Sequence, residues 1–276
     1  MGPFKSTHRR EISIMRLLCC LLTACLFLAH PLAAQDAPRP EVSKADIIRL
    51  MERIFTEDTM RDDLVRLGFK GRNLDLATAQ MRRIMTDPTV AGYIADQVLA
   101  FNKDGTLPVA DGARGTLWGV IDRGVGHLPL RDLRYYYLVE QTVLNAMPVR
   151  DCGLVVRERL SPARLSDATA RVAARLNTPA LEQYYRIQLE AARLGATRPP
   201  VTMSAAKIEQ VETKIFNALL ARLEGTDNGV GMIRTFARLD KADNRSACAA
   251  GRLFIDTVMS LKGRELHDAL ILLSLP

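Results

Sequence analysis

The sequence is poor in the residues that most often build catalytic and metal centres. It has four histidines in 276 residues, and two of them, His8 and His30, fall in the leading segment. A Ser-His-Asp set or a histidine-rich metal site needs several convergent polar groups. His127 and His267 lack such company in the sequence, so no metal and no cofactor are expected. His267 lies among Leu266, Leu270, Ile271, Leu272 and Leu273, a setting that suits a helix-surface histidine.

Aromatics make up only 5% of the chain, and runs of β-branched residues are scarce. No segment alternates apolar and polar residues as a half-buried strand does. No helical repeat of fixed period is present either, which argues against a solenoid. The apolar run Leu17–Ala29 is shorter than the roughly 20 residues that cross a bilayer. It therefore gives no stable transmembrane anchor.

That short run has the layout of a cleavable export signal. Arg9, Arg10 and Arg16 precede it; Pro31 and the small-residue sequence Leu32, Ala33, Ala34 follow it, and then polar Gln35 and Asp36. Cleavage is expected after Ala34, from a start at Met1 or at Met15. Leu22, Thr23, Ala24 and Cys25 also spell a lipoprotein box, which would put a lipid tether on Cys25. In that case Leu26–Ala34 would form an apolar mature start where a lipoprotein shows a polar one, and the free form is favoured. The pair Arg9 and Arg10 lacks the residues that follow a twin-arginine signal. The expected organisation is a signal peptide over 1–34, a short linker over 35–42 and a helical domain over 43–276. Connectors at 103–112 and 195–203, the second with Pro199 and Pro200, mark places where that domain could divide.

Removing the signal leaves 34 basic and 30 acidic residues, a net charge of +4 where the whole chain has +7. So mild a charge, with no basic run interleaved with aromatics, does not call for nucleic acid. Solubility is explanation enough. Of the five cysteines, Cys19, Cys20 and Cys25 leave with the signal, and Cys152 and Cys248 remain. Two cysteines in an exported chain predict one disulfide, with two buried thiols as the alternative.

The mature chain reads as a succession of helices, an all-α bundle or helical array. Ser43 with Asp46 three residues on marks the first start. Asp87 before Pro88, and Thr178 before Pro179, repeat a cap followed by a proline at the first helical position. From Ser204, the residues Ile208, Val211, Ile215, Leu219 and Leu223 recur opposite Glu209, Lys214 and Arg222, and Gly225 ends the segment. Helical periodicity also covers 75–86, 88–102, 112–127, 130–146, 166–176, 179–194 and 245–273. The stretch Glu224–Met232, with three glycines but no preceding strand, lacks the setting of a phosphate-binding loop and reads as a flexible connection. Asn102, Asp104 and Gly105 lack the later ligand of a calcium loop.

One region concentrates residues that favour recognition. Trp118 is the only tryptophan; Arg123 and His127 follow it, and beyond Pro129 come Arg131, Arg134 and the consecutive Tyr135, Tyr136 and Tyr137. Successive helical residues point about 100° apart, so three adjacent tyrosines cannot share one core face. Tyrosine and arginine are favoured at interface hot spots, and Trp118, Arg123, His127, Arg131, Arg134 and Tyr135 form the candidate binding set. Glu140 follows on the same helix. A single acid there suits the general acid of a glycan-cleaving enzyme, but without a partner motif its default is a surface ion pair. The expectation is a non-enzymatic periplasmic or secreted protein that binds another envelope or secreted protein, as an inhibitor, toxin-neutralising protein or chaperone. The other class is an envelope hydrolase acting on peptidoglycan or another wall polymer.

Overall fold

Side-chain caps decide where several helices begin in the computed structural model, which describes residues 42–54, 57–104 and 112–275. The expected export signal, its cysteines and the expected cleavage position after Ala34 lie outside the described residues, as does 105–111 of the first connector. At the start of α1 (Lys44–Ile54) the Asp46 amide donates to Ser43 Oγ at 3.2 Å and the Ser43 amide to Asp46 Oδ2 at 3.1 Å. This reciprocal pair satisfies two otherwise orphaned donors. Next come α2 (Glu57–Arg66) and α3 (Gly71–Met85). Asp87 caps α4 (Pro88–Asp104) by accepting from the Thr89 and Val90 amides at 3.1 and 3.2 Å.

The chain continues through α5 (Gly112–Val125), α6 (Leu130–Ala146), α7 (Val149–Val156) and α8 (Pro162–Ala173). The α9 helix (Thr178–Thr197) corrects one expected cap. Asn177 accepts from the Ala180 amide at 2.9 Å, while the Thr178 hydroxyl donates to Asn73 Oδ1 at 3.0 Å. The cap therefore lies one residue earlier, and Pro179 takes the second helical position. The second connector also shrinks, because α9 runs on through Gly195 to Thr197. Ser204 caps α10 (Ala205–Leu223), and Gly225, at φ +74°, follows its end.

The stretch from 224 to 232 is not all connection: α11 (Gly229–Ala237) begins inside it, before a 3-10 turn at Leu239–Lys241. The periodic segment 245–273 is two helices, α12 (Asn244–Ser260) and α13 (Gly263–Leu273). Extended backbone at Leu261 and Lys262 and a left-handed Gly263 (φ +51°) turn the chain without a proline. Among the described residues there are thirteen α-helices and no strand, so the fold is all-α. Ser43–Pro276 is one compact unit.

Two helices act as hubs. The first, α9, packs on α3, α4, α5 and α6; the second, α12, packs on α6, α7, α10, α11 and α13. Because α6 touches both hubs and also α8 and α13, it ties the two halves together. The apolar core runs through all of them, and fully buried residues such as Leu181 and Ile187 contribute about 2 kcal/mol each in apolar transfer.

The α5–α9 crossing is antiparallel and brings backbones into contact. A Cβ built on Gly124 would stand 1.7 Å from the Ala191 carbonyl oxygen, and one on Gly195 would stand 1.9 Å from that of Val120. Only glycine permits such an approach. The α7–α12 pair is close as well, with a Cβ on Gly153 falling 2.3 Å from the Asn244 oxygen. There the contact is also covalent. Cys152 and Cys248 are joined with Cα atoms 5.1 Å apart, across 96 residues of sequence.

Candidate functional site

The helix α6 has two faces of opposite character, set by which residues recur at three- and four-residue steps. Its inner face carries Leu133, Tyr136, Tyr137, Val139 and Val143, all buried. Its outer face carries Arg131, Arg134, Leu138, Thr142 and Asn145, all exposed. Pro129 precedes its first residue and separates it from α5.

The inner face builds an aromatic cluster with α9. The Tyr136 ring stands edge-on to Tyr137, with centroids 5.6 Å apart, and tilts against Tyr184 at 6.0 Å; Tyr184 in turn lies 6.1 Å from Tyr185. Edge and tilted contacts are the arrangements that the ring quadrupoles favour. Glu140 sits against this cluster and accepts a hydrogen bond from the Tyr184 hydroxyl at 3.2 Å. In place of the default surface ion pair, Glu140 is half-buried against α9 and its partner is a phenol. Loss of water pushes the Glu140 carboxyl up to about 7; the hydrogen bond from Tyr184 opposes that rise and the nearby charge of Asp122 adds to it. Burial likewise raises the Tyr136, Tyr137, Tyr184 and Tyr185 hydroxyls above the ordinary phenol range.

Asp122, on α5, belongs to the same neighbourhood. Its side chain reaches solvent at the rim, yet the crowding helices strip enough water to push its carboxyl up to about 6. Such displaced acids mark candidate functional sites, although buried networks produce them too. Chemically, the pair can hold or release protons near neutral pH.

Asp132, the more deeply buried acid on α6, is an anchor. Asp132 accepts from both terminal nitrogens of Arg186 at 3.1 and 3.2 Å and from Arg131 Nε at 3.0 Å. Burial alone would raise its carboxyl, but these hydrogen bonds, with the two guanidinium charges behind them, outweigh it and lower it. Arg193, two turns along α9, reaches Asp87 at 2.8 Å in the same way.

The six residues proposed from sequence for binding divide between structural and exposed positions. Trp118 is half-buried and packs on the core. Arg123 lies 4.5 Å over the Tyr93 ring, a cation–π contact. His127 meets the Pro199 carbonyl through Nε2 at 2.9 Å, linking the turn after α5 to the segment after α9. Tyr135 is half-buried and donates its hydroxyl to the Ala180 carbonyl at 3.0 Å. Arg131 and Arg134 reach solvent. Three apolar side chains are also exposed on these helices, Leu138 on α6, Val149 on α7 and Leu165 on α8. An ion pair from Arg164 to Asp151, at 2.6 Å, holds the first turns of α8 and α7 together beside Leu165 and Val149.

Tyr184, Tyr185 and Asp122 lie outside the residues that the sequence singles out. One signal was present: five of the six tyrosines fall in two adjacent runs, 135–137 and 184–185, and it is these two runs that meet. Among the described residues no group of acids, histidines and cysteines is arranged to hold a metal. No protein-family model, curated protein or solved structure matches the chain.

Proposed function

We propose that this chain is an exported, periplasmic or secreted helical protein that acts by binding another envelope or secreted protein through the outer side of α6 to α8. One observation carries the reading. A helix clamped on its inner face by Tyr136, Tyr137 and Asp132 turns two arginines and Leu138 to solvent, with Val149 and Leu165 exposed on the next two helices. Exposed apolar residues among arginines have the composition of a recognition patch. The rigid inner face would hold the patch in shape, which limits the ordering cost of binding. The export signal supplies the address, and among the described residues no helix is long and apolar enough to cross a membrane.

The test is capture from an envelope extract with the mature protein and with an Arg134→Glu, Leu138→Glu variant. The reading expects a partner recovered by the wild type and lost by the variant, with helicity unchanged. Equal recovery by both would sink the surface, and no partner with either would sink the function.

Glu140 and Asp122 support a second reading, an envelope hydrolase. Two carboxyls displaced toward neutrality are the equipment of glycan cleavage by a general acid and a base or nucleophile. Under that reading the wild type clears a peptidoglycan gel and Glu140→Gln does not. A wild type with no clearing at pH 5 to 8 removes it.

A further inference from the structure

Two surface recesses each gather three cations, and they differ in what neutralises them. The first, about 390 Å³, is lined by Lys207, Lys214 and Arg264 together with Gln210, Glu265 and Asp268. Its charges are matched internally: Lys207 and Lys214 pair with Asp268 and Glu265, and Arg264 also approaches Asp268. The second, about 160 Å³, lies where the end of α2 meets the end of α8 and is lined by Arg66, Arg171 and Arg175 over Leu67, Gly68 and Ala174. No acid lines it. Arg66 pairs with Asp63 from its own helix, whereas Arg171 and Arg175 have no acidic partner among the described residues.

Like charges one turn apart repel, and a helix C-terminus offsets only part of that cost. Here the floor is small: Gly68 adopts φ +100°, and a Cβ there would only just touch that of Ala174, at 4.0 Å. The result is a shallow cup with a floor of small and aliphatic side chains and guanidinium walls, the arrangement that takes a tetrahedral oxyanion by paired N–H donation. We propose that this recess binds a phosphate group, carried either by free inorganic phosphate or by the headgroup of an anionic phospholipid.

The experiment uses the mature protein, an Arg171→Gln, Arg175→Gln variant, and a charge-matched Arg234→Gln, Arg238→Gln control. All four arginines are exposed, so none of the substitutions threatens the fold. Calorimetric titration with inorganic phosphate and co-sedimentation with phosphatidylglycerol or phosphatidylcholine vesicles form the two arms. The recess variant is expected to lose at least about tenfold in affinity in one arm, with the control unchanged. Loss in the phosphate arm identifies the free anion; loss confined to phosphatidylglycerol vesicles identifies the headgroup. Absence of wild-type binding in both arms, or an equal loss in variant and control, overturns the proposal.

Discussion

The two hubs of the fold hold their neighbours by different means. Around α9 the attachment is one of fit. Gly124 and Gly195 let two backbones touch, the tyrosines of α6 fill the adjoining space, and Asp87 and Asp132 each draw an α9 arginine onto a neighbouring helix. Around α12 the attachment is a bond and a cap. Cys248 is joined to Cys152, and Arg252 donates to the carbonyls of Leu144, Asn145 and Met147 where α6 ends. Fit tolerates no added atom but ignores redox conditions; a bond tolerates local loosening but depends on an oxidising compartment. The half that carries the candidate acids is therefore the half whose integrity rests on packing.

The sharpest way to break the comparison is Gly124→Ala. Its new methyl would meet the Ala191 backbone, not a movable side-chain end, so the expected loss is about 5 kcal/mol or more, or failure to fold, as read by thermal unfolding. Gly225→Ala, where φ is +74° but a Cβ meets nothing, should cost only about 1 kcal/mol. On the other side, replacing both Cys152 and Cys248 with alanine frees a loop of 96 residues. The chain-entropy model puts that at roughly 4 to 5 kcal/mol, measurable by urea titration. Reductant should reproduce this loss in the wild type and leave the double variant unmoved.

The pH dependence of stability sharpens the picture of the α9 side. Glu140 has its folded pKa raised from 4.5 to about 7, so between those values the folded state holds the proton more tightly. Its contribution is fully present below about pH 4.5 and is lost as pH rises through 7, at most on the order of 3 kcal/mol. Asp122 acts in the same direction between 3.8 and about 6, but its exposure weakens the effect. Lowered acids such as Asp46 act oppositely, holding stability that disappears in acid. Glu140→Gln should flatten the fall between pH 5 and 7; an unchanged slope would remove Glu140 as its cause. A smaller effect is expected from Asp132→Ala, about 2 kcal/mol, because Arg186 and Arg131 remain half or more exposed and can turn to water.

How far the sequence carries follows from the range of each interaction. Caps are local, and Ser43, Asp87 and Ser204 are legible because a side chain three residues from an amide decides the matter. Asn177 displaces Thr178 by one position because the proline that marks the start also fits the second helical position. The short helices α2, α7 and α11 escape detection, since ten or fewer residues give little periodicity. The break at Leu261–Gly263 is hidden because apolar spacing continues across it. The pairing of Cys152 with Cys248 needs only counting once the leading cysteines are set aside. Burial of Glu140, by contrast, depends on Tyr184, 44 residues away, and the glycine crossing depends on α5 meeting α9. Nothing within one helix announces either. In the binding set, Arg123, His127 and Tyr135 look like surface chemistry in sequence because their partners, Tyr93, Pro199 and Ala180, lie on other segments.

Export, maturation and the covalent hub meet in a single count of free thiols on the protein as isolated, denatured without reductant. The account predicts none, because the proposed export would remove the leading cysteines and Cys152 and Cys248 are bonded to each other. Two thiols would contradict the bond, three would contradict removal of the leading segment, and five would contradict both.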